Sequence, residues 1–194
     1  MKYLRWLVAG VFVMSALAST SPAVATFTTI DVPGAVATLA QGINDHGQIV
    51  GEYLDGITGP GHGPLLDGTF TTIDVPGASF TVARGINNRG QIVGSADGHG
   101  FLLDRGTLTS IDVPGATSTD ASGINDHGEI VGTYLNSSGG HNFLLDHGTF
   151  TTIDVPGAFL LGCCFRGINN RGQIVGYYDP HGFLLGVSVP GVVV

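Results

Sequence analysis

Lysine occurs once in this chain, at Lys2, and the remaining positive charges are six arginines set against fifteen acidic residues. With a formal net charge of −8 and no basic stripe, the chain lacks the electrostatic footprint that attracts nucleic acid or an anionic membrane. Cysteine is nearly absent too. Cys163 and Cys164 are adjacent and have no third partner, so there is no disulfide framework. Neighbouring side chains on a strand point to opposite faces, so a bond between these two needs a distorted peptide; two small buried hydrophobes are the alternative. After residue 25 no segment carries a capped helical period. Nucleophile and cofactor signatures are missing as well: no Gly-x-Ser-x-Gly, no His-Glu-x-x-His, no phosphate loop and no dinucleotide fingerprint. Glu52 and Glu129 are the only glutamates. Aspartate is plentiful, but nothing singles out a carboxylate pair for glycoside cleavage.

The one long apolar run, Trp6 to Ala18, follows Lys2 and Arg5 and precedes Ala23-Val24-Ala25. It is shorter than the roughly 20 residues that cross a bilayer. Positive start, short apolar core and A-x-A site together read as a secretory signal over residues 1–25. Its removal takes away two positive charges and lowers the net charge from −8 to −10. That acidity keeps an edge-rich β protein soluble. The expected location is secreted, extracellular or periplasmic, with no membrane association after cleavage.

What is present is a repeat. Gly-Ile-Asn-[Asp/Asn]-x-Gly-[Gln/Glu]-Ile-Val-Gly stands at Gly42–Gly51, Gly85–Gly94, Gly123–Gly132 and Gly167–Gly176. Asn and Asp open turns through their own backbone, and the closing Gly accepts positive φ, so each copy predicts a β-hairpin. Two further strands recur at fixed offsets. One is His-Gly-Phe-Leu-Leu-Asp at His99–Asp104, with variants from His62, His141 and His181. The other is Phe-Thr-Thr-Ile-Asp-Val-Pro-Gly-Ala at Phe27–Ala35 and Phe70–Ala78, with relatives at Leu108–Ala116 and Phe150–Ala158. Each unit thus reads as four strands. The period of roughly 40 residues is one that propeller blades occupy, and about 170 residues suit one domain. The units span 36–77, 78–115, 116–157, and 158–186 together with 27–34.

The ends complement each other. Phe27–Val32 is a fourth-type strand ahead of the first hairpin, while the chain ends after His181–Leu185 with only Val187–Val194 to follow. The expected fold is therefore all-β: a four-bladed β-propeller whose N-terminal strand closes the last blade. A β-solenoid-like array is the alternative, and it needs polar caps that the ends do not supply.

The pairing of Gly-Ile-Asn-x-x-Gly-x-Ile-Val-Gly with His-x-Phe-Leu resembles the bacterial extracellular HAF-repeat family, named for a His-Ala-Phe motif. Here the motif reads His-Gly-Phe at His99 and His181, and departs to His62-Gly63-Pro64 and His141-Asn142-Phe143. The resemblance covers nearly the whole chain after residue 25. It implies an exported, propeller-like repeat protein and transfers no catalytic residue.

Three sets of residues are candidates for chemistry. His62, His99, His141 and His181 recur once per unit; turned toward a common axis they would suit zinc or copper, and turned outward each would bond a neighbour. No other cofactor is expected. Asp31, Asp74, Asp112 and Asp154 precede Val-Pro-Gly and either hold calcium or accept bonds from turn amides. Tyr53, Tyr134, Tyr177 and Tyr178 adjoin the loops that vary between units. With Asp55, Asn136 and Asp179 they combine flat apolar faces with hydrogen-bonding groups, the ingredients of a sugar site; the alternative is tyrosines packed under their loops with wet hydroxyls.

Three functions are compatible with these features. The first is a secreted binding or surface-interaction module whose extracellular ligand belongs to a class such as glycan. The second is an extracellular hydrolase or lyase acting on a polymer. The third is a structural envelope protein. Near-identical units favour binding or structure over catalysis, because catalysis needs an asymmetric constellation.

Overall fold

Each hairpin is built on its asparagine. The side-chain oxygens of Asn44, Asn87, Asn125 and Asn169 accept from the backbone N–H groups two and four residues on, at 2.9–3.1 Å. The main chain closes the same loop, as in Gly47 N to Asn44 O and Asn44 N to Gln48 O. The asparagine thus supplies the internal bonds that would otherwise be missing at the turn.

The computed structural model describes residues 25–57, 59–156 and 163–186. Four antiparallel sheets are set around a common axis as the four blades of an all-β β-propeller. Blade 1 holds β1 (Ala37–Ile43), β2 (Ile49–Leu54), β3 (Gly61–Asp67) and β4 (Thr69–Ile73). Blade 2 holds β5 (Thr81–Ile86), β6 (Ile92–Ala96), β7 (His99–Asp104) and β8 (Thr107–Ile111). Blade 3 holds β9 (Ser118–Ile124), β10 (Ile130–Asn136), β11 (Gly139–Asp146) and β12 (Thr149–Thr152). Blade 4 holds β13 (Cys163–Ile168), β14 (Ile174–Tyr178) and β15 (His181–Leu185). Strands pair in sequence order, with β1, β5, β9 and β13 innermost.

Every inner strand carries a bulge just before its Gly-Ile-Asn. The extra residue bends the strand and brings the glycines of neighbouring blades together. A Cβ on Gly85 would stand 3.2 Å from Gly123 Cα, and one on Gly123 3.0 Å from Gly167 Cα. The glycine of Ile-Val-Gly has a different reason. A Cβ on Gly94 would overlap the Val82 carbonyl and crowd the Phe101 ring, and Gly132 stands in the same relation to Asp120 and Phe143. These glycines let the phenylalanine of the third strand reach the core.

The core lies between blades. One cluster joins Val50 and Ile73 of blade 1 to Ala83, Ile86, Ile92 and Phe101 of blade 2. Others join blade 2 to blade 3 through Val93, Ile111, Ala121 and Phe143, and blade 3 to blade 4 through Val131, Phe165 and Ile174. Polar staples follow the same path. Asn44 Nδ2 donates to Asn87 O at 3.1 Å, Asn87 Nδ2 to Asn125 O at 3.0 Å, and Asn125 Nδ2 to Asn169 O at 3.1 Å. Arg84 Nε, in blade 2, adds bonds of 2.7 and 2.9 Å to the Asp120 carboxylate of blade 3.

One element of the expected architecture is corrected. Residues 25–32 form no strand, and blade 4 has three strands among the described residues. Phe27–Val32 does not pair with β15. It lies against blade 1, where Ile30 faces Leu39, Val50 and Phe70 and Val32 N donates to Thr38 Oγ1 at 3.0 Å. The cause is the segment's own pattern: Ile-Asp-Val-Pro-Gly-Ala docks on whichever blade follows it, and here the following blade is blade 1. The expected signal falls on residues outside those described, apart from Ala25, as does Val187–Val194.

Candidate functional site

The two ends of each blade differ chemically. One end carries the asparagine turns and the tight hairpins between third and fourth strands. Gln48 Nε2 reaches Asp67 Oδ2 at 3.0 Å there, and Gln91 Nε2 reaches Asp104 Oδ2 at 3.1 Å. The Asp104 carboxyl is held below its usual range first by the Gln91 bond and then by that of Arg105. The other end carries the loops of variable length and the Val-Pro-Gly turns, and the predicted site residues gather at this end.

The histidines and aspartates, predicted as two separate sets, are one pair per blade. His62 Nδ1 lies 2.9 Å from Asp74 Oδ2, His99 Nδ1 3.1 Å from Asp112 Oδ1, and His141 Nδ1 2.9 Å from Asp154 Oδ2. The histidine opens the third strand and the aspartate follows the fourth, so antiparallel pairing of neighbours brings them together. Each imidazole is turned to its own blade. Among the described residues no group of three or more His, Cys, Asp or Glu is placed to hold a metal ion. His181 is exposed beside the open edge of blade 4, and Asp31 is exposed next to blade 1.

In blades 1 and 3 the second imidazole nitrogen meets different partners. His62 Nε2 is 3.3 Å from Asp55 Oδ2, an ion-pair separation without hydrogen-bond alignment. His141 Nε2 is 2.9 Å from Ser138 Oγ, which also lies 2.6 Å from Asn136 Oδ1. In blade 2 the aspartate takes the extra bond instead, from Ser110 Oγ at 2.5 Å.

Tyr53 and Tyr134 do not present their rings. Each is 8% exposed, lies directly across the ladder from the blade's histidine, and stacks on it at 5.0 and 5.1 Å between centroids. Their hydroxyls bond Thr72 Oγ1 at 2.9 Å and Thr152 Oγ1 at 2.8 Å. In blade 2 Ala96 takes this place. Tyr178 sits half-buried at 5.3 Å from His181 and 6.4 Å from Phe183. Tyr177 is 39% exposed, with the Arg166 guanidinium 5.2 Å from its ring centre. Asp55 and Asp179 are exposed and Asn136 is half-buried.

Sequence reasoning missed Thr72, Thr152 and Ser138. The threonines recur in every Phe-Thr-Thr-Ile, and strand alternation places the second one beside the tyrosine two strands away. Ser138 gave no repeated signal, since it lies in a loop of one blade. Cys164 carries a free, half-buried thiol; the side chain of Cys163 lies outside those described.

No family model matches this chain, and no curated protein matches it. Among solved structures it is similar to one titled "Streptogramin B lyase structure", with 16% identity and a TM-score of 0.45, covering 81% of this chain and 56% of that one. The chain thus spans little more than half the length of that protein.

Proposed function

We propose that the chain is an exported binding module that takes a polyhydroxylated ligand, a glycan, along the loop end of its blades. The observation that supports this reading is the His–Asp pair repeated in three successive blades, each on the same edge. A row of imidazole, carboxylate and amide groups at blade spacing offers alternating donors and acceptors to a chain of hydroxyls. Charge-assisted bonds of this type are stronger than neutral ones. Tyr177 is the exposed ring of the row; Tyr53 and Tyr134 act from below by holding the imidazoles in place. A glycan array followed by calorimetry tests the reading. Binding that weakens at least tenfold in His99→Ala, whose histidine side chain is 68% exposed, supports it. A blank array at high protein concentration overturns it.

A second reading has its own observation. Ser138 Oγ, His141 and Asp154 stand in the order of nucleophile, base and orienting carboxylate, with both contacts at 2.9 Å. This favours an acyl hydrolase acting on esters of an extracellular polymer. Asn136 Oδ1 competes for the serine proton, so activation requires a substrate that displaces it. A fluorophosphonate probe that labels the chain but not Ser138→Ala supports this reading, and no labelling removes it.

A further inference from the structure

The first and fourth blades each expose a face that is covered in every other blade. Val175 is 48% exposed, whereas its counterparts Val50, Val93 and Val131 are fully buried. Ile43 is 67% exposed, whereas its counterparts Ile86 and Ile124 are at 8% and 7%. The amide of Asn169 reaches Gln173 in its own hairpin, whereas the three before it also reach the next blade. The two faces are the two halves of one interface.

Their outer parts match as well. Phe27–Ala35 is docked on blade 1 as the equivalent segments are docked on blades 2 and 3. The bond from Val32 N to Thr38 Oγ1, at 3.0 Å, repeats those from Val75 N to Thr81 and from Val113 N to Thr119, at 3.3 and 3.2 Å. On blades 2 and 3 such a segment continues the outermost strand of the preceding blade, β4 and β8. Phe27–Val32 therefore occupies the place of such a segment with no preceding blade among the described residues, and Phe27 is 99% exposed. Among the described residues blade 4 has no such strand. Beside β15 lies a cleft of about 300 Å³ lined by Ile153, Val155, Pro156, Phe183 and Leu185. In blades 2 and 3 the matching place is taken by Leu108, packed with Val75 and Ala78, and by Phe150, packed with Val113 and Ala116. Phe27 is the residue of that position.

The charges fit too. The second turn residue alternates Asp45, Asn88, Asp126, Asn170, and each aspartate accepts from the asparagine of an adjoining blade. Placing Asn170 beside another Asp45 continues the alternation.

We propose that this seam is filled by a second copy of the chain. The copy's Phe27–Val32 adds to β15 as the fourth strand of blade 4, and its blade 1 covers Val175 and Asn169. The contact is reciprocal, so two chains close a two-fold ring of eight blades. A second copy is the occupant because the chain's own steps do not close. A Cβ on Gly42, Gly85 or Gly123 would meet the next blade, but one on Gly167 would meet only Val175 of its own blade. Equal steps that close after four would bring Gly167 to Gly42. An interface repeated inside one chain is self-complementary between copies, and pairing removes both exposed strand edges. The register follows from Leu66 opposite Phe70 and Leu103 opposite Leu108, which sets Leu185 opposite the partner's Phe27 and His181 beside the partner's Asp31.

The test uses the chain from residue 26 onward. Light scattering at micromolar concentration should give twice the chain mass, and Phe27→Asp with Ile43→Asp should give a folded monomer by circular dichroism. A second measurement separates the two ways of closing. With Cys163→Ala and Cys164→Ala as background, Phe27→Cys and Leu185→Cys are combined and oxidised. A doubly bridged dimer on a non-reducing gel supports the proposal. A monomer bridged within itself, a monomeric mass for the parent chain, or open-ended polymers would each overturn it.

Discussion

The side-chain amide of Asn87 donates to the backbone carbonyl of Asn125, 3.0 Å away in the next blade. The same side chain's oxygen accepts from Arg89 N and Gln91 N within its own turn. One residue thus shapes its hairpin and fastens two blades, and it is 4% exposed. Asn87→Ala leaves these buried groups without partners, at about 3 kcal/mol for several such groups together. Thermal unfolding followed by circular dichroism should show a loss of about 6–12 °C for a chain of this size. In the monomeric Phe27→Asp, Ile43→Asp background Asn169→Ala should cost clearly less than Asn87→Ala, because there its amide reaches no further blade among the described residues. Equal losses at the two positions in that background would remove the fastening role.

Gly94→Ala tests the packing rule of the second strand. The new Cβ overlaps the Val82 carbonyl, which belongs to a bulged strand and cannot withdraw without opening the interface. Overpacking of this kind costs roughly 1–3 kcal/mol or more. Gly128→Ala is the control: its surroundings are open but φ is +87°, so the cost is backbone strain of about 1 kcal/mol. Denaturant midpoints should rank Gly94→Ala well below Gly128→Ala.

Tyr53→Phe removes the bond to Thr72 and keeps the ring on His62. A loss of about 1 kcal/mol in stability is expected, with no change in glycan affinity. A fall in affinity by calorimetry without a fall in stability would return the hydroxyl to the binding surface.

Asp126 supplies a pH dependence. Its carboxylate accepts from Asn88 N at 2.7 Å, and from the side chains of Asn170 and Asn88 at 2.8 and 3.0 Å. The backbone N–H of Asn88 is the largest cause holding its pKa below the usual range, followed by the Asn170 amide. A lowered carboxyl favours the folded state fully above the unfolded value of about 3.9, and the contribution is lost as pH falls through the folded value. Asp126→Asn should therefore be less stable than the parent near neutrality, and the difference in melting temperature should shrink as pH falls through the folded value of Asp126. A constant difference across that range would show that the carboxylate carries no linked proton.

The blades were legible in the sequence because their signals are local. Asn, Gly and Pro sit at fixed offsets, and each defines a turn without help from distant residues. Four sheets around an axis followed from the repeat. The place of Phe27–Val32 was not legible, since sequence likeness says which strand type it is and not which blade receives it. The site was half legible. His62, His99 and His141 were visible as a set, and so were Asp74, Asp112 and Asp154, but their pairing depends on the register of the third and fourth strands. Tyr53 and Tyr134 sat beside variable loops and were read either as contact rings or as rings packed under their loops with wet hydroxyls. Cross-strand stacking on histidine buries them, and strand propensity carries no sign of that. Ser138 stayed hidden because a single loop residue has no periodicity to betray it.

The glycine-to-glycine approach at the axis makes each pair of blades interchangeable with the next pair. Apart from the Arg84–Asp120 pair the joint there is the same each time: backbone meets backbone, and the fastening amide recurs. Two units gained or lost together by unequal recombination would arrive already fitted on both sides, because the Asp–Asn alternation of the turns repeats every second blade. Lineages built on this repeat can therefore change their blade number in steps of two without first evolving a new joint.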